Sequence, residues 1–206
     1  MTNEERERTL KRALETDEFA TFIGVKFNTL KRFGLEGCEA LIPGMKSAMD
    51  AIRENGAEKA VIGMPHRGRL SMLAQVLRKP LKTIFAEFQG TLPSEGHDSK
   101  NHSGDVKYHL GTTYTKKFKD GKSMTVEILA NPSHLECVSP VVMGRCRAEN
   151  HMKNLQGLET NRDKIVPFLI HGDASFAGQG VCYETIQMMN LRNYSVGGTI
   201  HVICNN

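Results

Sequence analysis

The sequence predicts an α/β fold in which a parallel sheet is flanked by helices. Three observations predict it. The apolar runs 59–64, 165–170 and 199–204 have strand length, helical patterns separate them, and the C-terminal strand–helix–strand span matches the roughly 30-residue βαβ unit. A right-handed crossover in such a unit makes its two strands parallel and brings both carboxyl ends to one edge of the sheet.

Taken in order, residues 3 to 23 read as a charged amphipathic helix with Leu10, Leu14, Phe19 and Phe22 on its apolar side. A loop through Gly34 and Gly37 follows, then a helix over 40–55 that Gly56 stops. The strand 59–64 ends in Pro65-His66-Arg67-Gly68, and helical patterns cover 69–79 and 81–88. From Gly90 to Lys122 the chain is polar, glycine-rich and without regular periodicity, and a loop longer than about 12–15 residues is usually functional or disordered. Met124 to Ala130 alternates like a strand. Asn131-Pro132-Ser133 breaks it before a helical stretch to about Lys153, which Pro140 is expected to interrupt. Residues 150–164 read as an exposed polar connection, and a helix from about Phe176 to Leu191 leads to the last strand. No repeat or low-complexity tract is present.

The chain has 206 residues, 39% hydrophobic and 24% charged, enough to bury one core. Its net charge of +4 comes from lysines and arginines scattered along the chain, so neither nucleic acid nor an anionic membrane is an expected partner. Five cysteines, Cys38, Cys137, Cys146, Cys182 and Cys204, form no CxxC pair, which suits buried thiols in a reducing compartment and argues against zinc and disulfides. No apolar run approaches the roughly 20 residues of a membrane helix, and the acid-rich opening is neither signal nor transit peptide. The chain stops directly after an apolar strand, so the domain is expected to be incomplete at its C-terminus.

Asp173 follows one strand of the C-terminal unit and Asn206 closes the next, where open α/β sheets bind ligands. A carboxylate and an amide oxygen suit Mg²⁺, which takes oxygen ligands and shares them with phosphate and water. Gly172 admits a close backbone approach, and a helix starting near Phe176 would offer free N–H groups to phosphate. Spacing alone equally allows Asp173 to cap a helix and Asn206 to make a turn.

HGDASFAGQG followed by ICNN resembles the thiamine diphosphate signature. KRFGLEGCEALIP, GMPHRGRL, SGDVKYHLG, NPSHLE and VSPVVMG resemble, in the same order, the thiamine-diphosphate-dependent first component of 2-oxoglutarate dehydrogenases. The likeness runs from about residue 31 to the end and is loose over the first thirty residues and over 150–164. It implies a 1–30 helical segment and a partial diphosphate-binding domain over 31–206. It also implies thiamine diphosphate and Mg²⁺ as cofactors, with Asp173 and Asn206 as the metal's side-chain ligands; the third protein ligand, a backbone carbonyl, falls beyond the sequence.

By the same resemblance His66 and His109 line the active centre as catalytic residues, and Arg67 contacts cofactor and substrate. Imidazole donors there can stabilise and protonate the oxygen on which a 2-oxo acid gains charge. Ser133 and Leu135 match positions near cofactor and substrate, and Ala174 and Ser175 match the diphosphate-binding turn. Ser133 with Glu136 also spells a helix capping box, and both readings can hold together. His134 and His171 read as structural; His97, His102, His151 and His201 carry no argument.

The implied activity is oxidative decarboxylation of 2-oxoglutarate with succinyl transfer to the lipoyl arm of a dihydrolipoyl succinyltransferase, in the tricarboxylic acid cycle. The resemblance also implies a homodimer and the mitochondrial matrix, with bacterial cytoplasm as the alternative location. A 2-oxoadipate dehydrogenase shares HRGR and NPSHLE but departs from FGLEGCE and KYH. A non-catalytic fragment or interaction subunit is the other rival, since the domain that binds the aminopyrimidine is not among these residues; the chain alone is then expected to be inactive and to bind the cofactor weakly. A nucleotide-binding domain lacks its GxGxxG or Walker loop.

Overall fold

A computed structural model describes residues 1–89, 109–118, 120–155, 157 and 162–205. Asn206, His97 and His102 lie outside the described residues, so the expectation attached to Asn206 has no structural counterpart.

The sheet is built on β1 (Lys59–Gly63), whose Ala60 and Ile62 face one side and Val61 the other. Both faces of a parallel strand are covered, hence the continuous apolar run. β1 pairs in parallel with β3 (Ser123–Ile128) and with β4 (Ile165–Gly172), and β4 pairs in parallel with β5 (Ile200–Cys204). β2 (Thr112–Lys117) runs antiparallel to β3, giving the order β2-β3-β1-β4-β5. The fold is the expected α/β arrangement.

Helices cover both faces. α2 (Leu41–Glu54) sets Ile42, Met45 and Met49 against Ile62, Met124, Val126 and Phe168, and ends before Gly56, whose φ of 93° favours glycine. α5 (Val138–Leu155) packs Val142 and Cys146 against Val61, Ile165 and Leu169 on the other face. α1 (Asn3–Lys26), opened by a Thr2–Glu5 capping box, packs Phe19 and Ile23 on Leu70 and Ile84 of α3 (Arg69–Ser71) and α4 (Leu81–Gln89). Burying each of those two side chains contributes roughly 1.5–3 kcal/mol. None of the described helices is long and apolar enough to cross a membrane. Of the five free thiols, Cys146, Cys182 and Cys204 are buried. Burial raises Cys146 and Cys182 to about 12 and Cys204 to about 11, which makes them poor nucleophiles.

Several elements depart from the sequence reading. Leu10, Leu14 and Phe22 are at least half exposed, and the inward face of α1 is Thr16, Phe19 and Ile23, because Thr16 Oγ1 satisfies itself on Arg12 O and on Gln75 Oε1. β2 falls in the stretch read as aperiodic: as an edge strand of threonines and lysines it turns a single aromatic, Tyr114, to the core, too little to reveal a periodicity. Pro140 does not interrupt α5, since it stands in the first turn, where its missing N–H needs no acceptor. The last crossover begins at Asp173 and not at Phe176, as α6 (Asp173–Gly178) and α7 (Gly180–Gln187) separated by an extended Gln179. α3 continues into a π-helical turn, Met72–Val76.

Candidate active site at the carboxyl edge

The register carries the carboxyl ends of β1, β3, β4 and β5 to one edge: Ile62 lies opposite Ile128, Gly63 opposite Leu169, and Gly172 opposite Cys204. Ligands in open α/β sheets collect on that edge. A cavity of about 190 Å³ opens there between the loop after β1 and the β4–α6 turn. His66, Arg67, Leu135, Asp173, Ala174 and Ser175 line it, so six residues singled out in the sequence, 109 positions apart at the extremes, meet around one space.

On the β1 side, the turn Pro65–Gly68 closes through Gly68, at φ 73°. A Cβ there would stand 2.3 Å from Leu35, and the Gly68 N–H donates to Phe33 O at 2.7 Å. That close approach places the His66 ring 4.3 Å from the Phe33 ring. His66 Nδ1 is buried and has no hydrogen-bond partner among the described residues. Burial, followed by the fields of His109 and Lys31, lowers its pKa below the usual histidine value. Arg67 donates from Nη2 to Glu36 O at 3.1 Å, which leaves most of its fork open.

His109 and Ser133 meet each other rather than this cavity's wall: His109 Nε2 lies 2.9 Å from Ser133 Oγ, the tautomer deciding which one donates. Arg69, which the sequence reading passed over, ties both segments to β1. Its guanidinium, 1% exposed, donates to Met64 O, Leu110 O, Leu129 O and Asn131 Oδ1 at 2.6 to 3.2 Å. Asn131 in turn donates to Met64 O at 3.0 Å. Burial lowers Arg69 to about 10, still charged at neutral pH. An arginine at the head of RLSMLAQVL, a stretch with no other charge, was the available signal.

On the β4 side, Asp173 is the first residue of α6, and Gly172 before it supplies no side-chain cap. The Asp173 carboxylate has no hydrogen bond or ion pair among the described residues, so it is not spent on capping. A Cβ on Gly172 would meet Ser175 Oγ at 3.5 Å, an ordinary contact, and internal packing does not demand glycine there. The Ser175 hydroxyl is committed: its one proton goes to Glu136 Oε1 at 2.7 Å or is shared with Gly172 O at 3.1 Å.

Glu136 was also missed as a site residue, and it overturns the capping box. It is 4% exposed at φ 69°, its other carboxylate oxygen bonds His171 Nδ1 at 2.5 Å, and α5 starts only at Val138. Burial would raise its pKa, but the hydrogen bonds from His171 and Ser175 outweigh it and leave the carboxyl below its usual range. His171 Nε2 continues the chain to His201 Nδ1 at 2.9 Å, which gives a structural task to two histidines. Glu136, His171 and Cys182 also bring three ligand atoms within 4.8 Å of one another.

The dehydrogenase E1 component family model matches residues 11–206. The chain belongs to this family. This E1-family chain is 50% identical over 205 residues to the mitochondrial 2-oxoglutarate dehydrogenase of Dictyostelium discoideum and 48% identical over 205 residues to that of Saccharomyces cerevisiae. It is 45% identical to a mitochondrial 2-oxoglutarate dehydrogenase-like protein of Xenopus laevis. Those matches cover 99%, 100% and 99% of the chain, but the E1-family segment spans only about a fifth of each relative, 20%, 20% and 19%.

Proposed function

We propose that this E1-family chain provides the diphosphate-binding side of a thiamine diphosphate site in a 2-oxoglutarate dehydrogenase, with residues 31–206 as the binding domain and 1–30 as a helical segment packed on it. The observation that carries the reading is the unpartnered Asp173 carboxylate on the cavity wall at the carboxyl edge, level with the end of β5. A carboxylate in that setting fits Mg²⁺, which prefers a few protein oxygens and fills its shell with phosphate and water. Asp173 and Asn206 would hold the ion. The first-turn N–H groups of Ala174 and Ser175 and the open Arg67 donors would receive the diphosphate.

When bound, thiamine diphosphate supplies the electron sink that decarboxylation of a 2-oxo acid needs. The chain's own residues do the remaining work. His66, kept neutral by burial, retains an unpartnered Nδ1 for a ligand atom. The His109–Ser133 pair holds a proton that either atom can donate toward a developing oxyanion. Leu135, on the same cavity wall as Arg67, helps exclude water.

The names of the relatives support 2-oxoglutarate as substrate and a mitochondrial location. The motif resemblance adds the matrix and a lipoyl-bearing succinyltransferase partner to the proposal. We propose a homodimer as the working unit. The test is a chimera in which these residues replace the matching segment of the Saccharomyces cerevisiae relative. It is expected to turn over 2-oxoglutarate faster than 2-oxoadipate and to lose Mg²⁺-dependent cofactor binding with Asp173→Asn. Faster turnover of 2-oxoadipate, or full cofactor affinity in the Asp173→Asn form, would contradict the reading.

A further inference from the structure

A second polar feature lies toward the opposite end of the strands. Another cavity of about 190 Å³ opens between α1, α2, the π-helical turn and β2, and Arg12, Lys46, Arg78, Lys116 and Lys117 all line it. On β2, Lys116 pairs with Met124 and Lys117 with Ser123, at the amino end of β3, away from the carboxyl edge. The cavity shares no residue with the candidate active site. Cations dispersed along the sequence are gathered here by the fold.

Two carboxylates answer these five cations. Asp50 bonds Lys116 and stands 3.7 Å from Arg12, while Glu15 Oε2 stands 3.8 Å from Lys46 Nζ. Arg78 and Lys117 pair with no carboxylate among the described residues. Lys46 is 6% exposed, and its buried Nζ has no hydrogen-bond acceptor among the described residues; the contact to Glu15 is ionic only. An ammonium carries three donors, and burying them unmet is costly. Burial, and then the fields of Arg78 and other cations, brings Lys46 down to about 8. The wall is therefore short of negative charge at its most buried point.

We propose that this cavity binds a small multiply charged oxyanion, a phosphate group in the first place, with Lys46 as the buried anchor and Arg12, Arg78 and Lys116 around it. Guanidinium forks and ammonium groups are the donors that phosphate oxygens take best. The volume falls below the roughly 300–1,000 Å³ of organic-ligand pockets, so the site suits one oxyanion group rather than a whole cofactor. Free phosphate and a phosphate monoester share this chemistry.

The test is thermal unfolding and calorimetry of the purified chain with sodium phosphate, glycerol 3-phosphate, or sodium chloride at matched ionic strength. Phosphate or the monoester is expected to stabilise the chain saturably at millimolar concentration, beyond chloride, and the one that saturates first names the source. Lys46→Met removes a buried charge at nearly constant volume, so the variant is expected to fold with an equal or higher Tm and to lose phosphate affinity about tenfold or more. Wild-type affinity is expected to fall about tenfold per pH unit above about pH 8, as Lys46 loses its proton. The charged and titratable groups that face Lys46 are Glu15 and Arg12 of α1, Asp50 of α2, Arg78, and Tyr114, Lys116 and Lys117 of β2. Asp173→Asn is expected to leave phosphate affinity within about twofold, which separates this site from the candidate active site. No stabilisation beyond chloride, or equal phosphate affinity in Lys46→Met, would overturn the proposal.

Discussion

The two sides of the candidate active site are held by ties of opposite chemistry. On the β1 side one buried guanidinium gathers three backbone carbonyls and an amide oxygen, all neutral. On the β4 side a buried carboxylate gathers an imidazole and a hydroxyl, and a second imidazole extends the line. The guanidinium, lowered to about 10, stays charged at neutral and acid pH, whereas the carboxylate–imidazole tie depends on protonation. The comparison teaches that one half of the rim is fixed by geometry alone and the other by geometry plus a charge state.

Breaking the first tie has the largest expected effect. Arg69→Met strands four acceptors in the interior and is expected to cost roughly 3–5 kcal/mol, read as a shift in the urea midpoint. Arg69→Lys should recover only part of it, because one ammonium cannot reproduce the fork. A loss under about 1 kcal/mol would mean that water satisfies those carbonyls and that the tie is not what orders this side.

Glu136→Gln comes next, at roughly 1–3 kcal/mol, with a change in pH dependence that the Arg69 variants lack. The Glu136 pKa is depressed in the folded chain, so its contribution is present above the ordinary value of 4.5 and is lost as pH falls through the folded value. The acid limb of the stability profile should therefore flatten in Glu136→Gln. A profile parallel to wild type would remove the carboxylate from the account.

His66 sharpens the contrast on a smaller scale. Its folded pKa is also depressed, so its contribution is present above 6.5 and is lost as pH falls further. NMR titration should find its ring protonating below 6.5, and a midpoint at or above that value would show that the ring is solvated. The smallest effect belongs to Asp173→Asn, which removes no bond among the described residues. Stability should change by less than about 0.5 kcal/mol, and a larger loss would mean that the carboxylate serves the scaffold.

What was legible in the sequence follows the same division. The strands at 59, 124, 165 and 200 were readable because each faces at least one apolar layer, and the cavity residues His66, Arg67, Asp173, Ala174 and Ser175 stand in motifs at strand ends. β2 was not readable, since TTYTKK on an edge offers the core one aromatic, Tyr114, between a threonine and a lysine. Pro140 misled because its effect depends on position within a helix, and that position was set by Glu136 holding back the start of α5. The tasks of Arg69, Glu136 and the His171–His201 pair were hidden for a common reason: apart from Met64 beside Arg69, their partners lie 30 to 62 residues away, and no local pattern records such a bond. The cationic cavity was hidden likewise, its lysines and arginines looking scattered until α1, α2 and β2 are folded together.

The central claim is that Asp173 grips a metal-bound diphosphate at the carboxyl edge. Manganese relaxation measured by NMR tests it most directly, since it reports even weak binding. With Mn²⁺ and thiamine diphosphate together, the amide signals of Gly172, Asp173, Ala174 and Ser175 should broaden first, and Asp173→Asn should abolish this. Broadening centred on the buried trio Glu136, His171 and Cys182, or broadening at Asp173 indifferent to thiamine diphosphate, would contradict it.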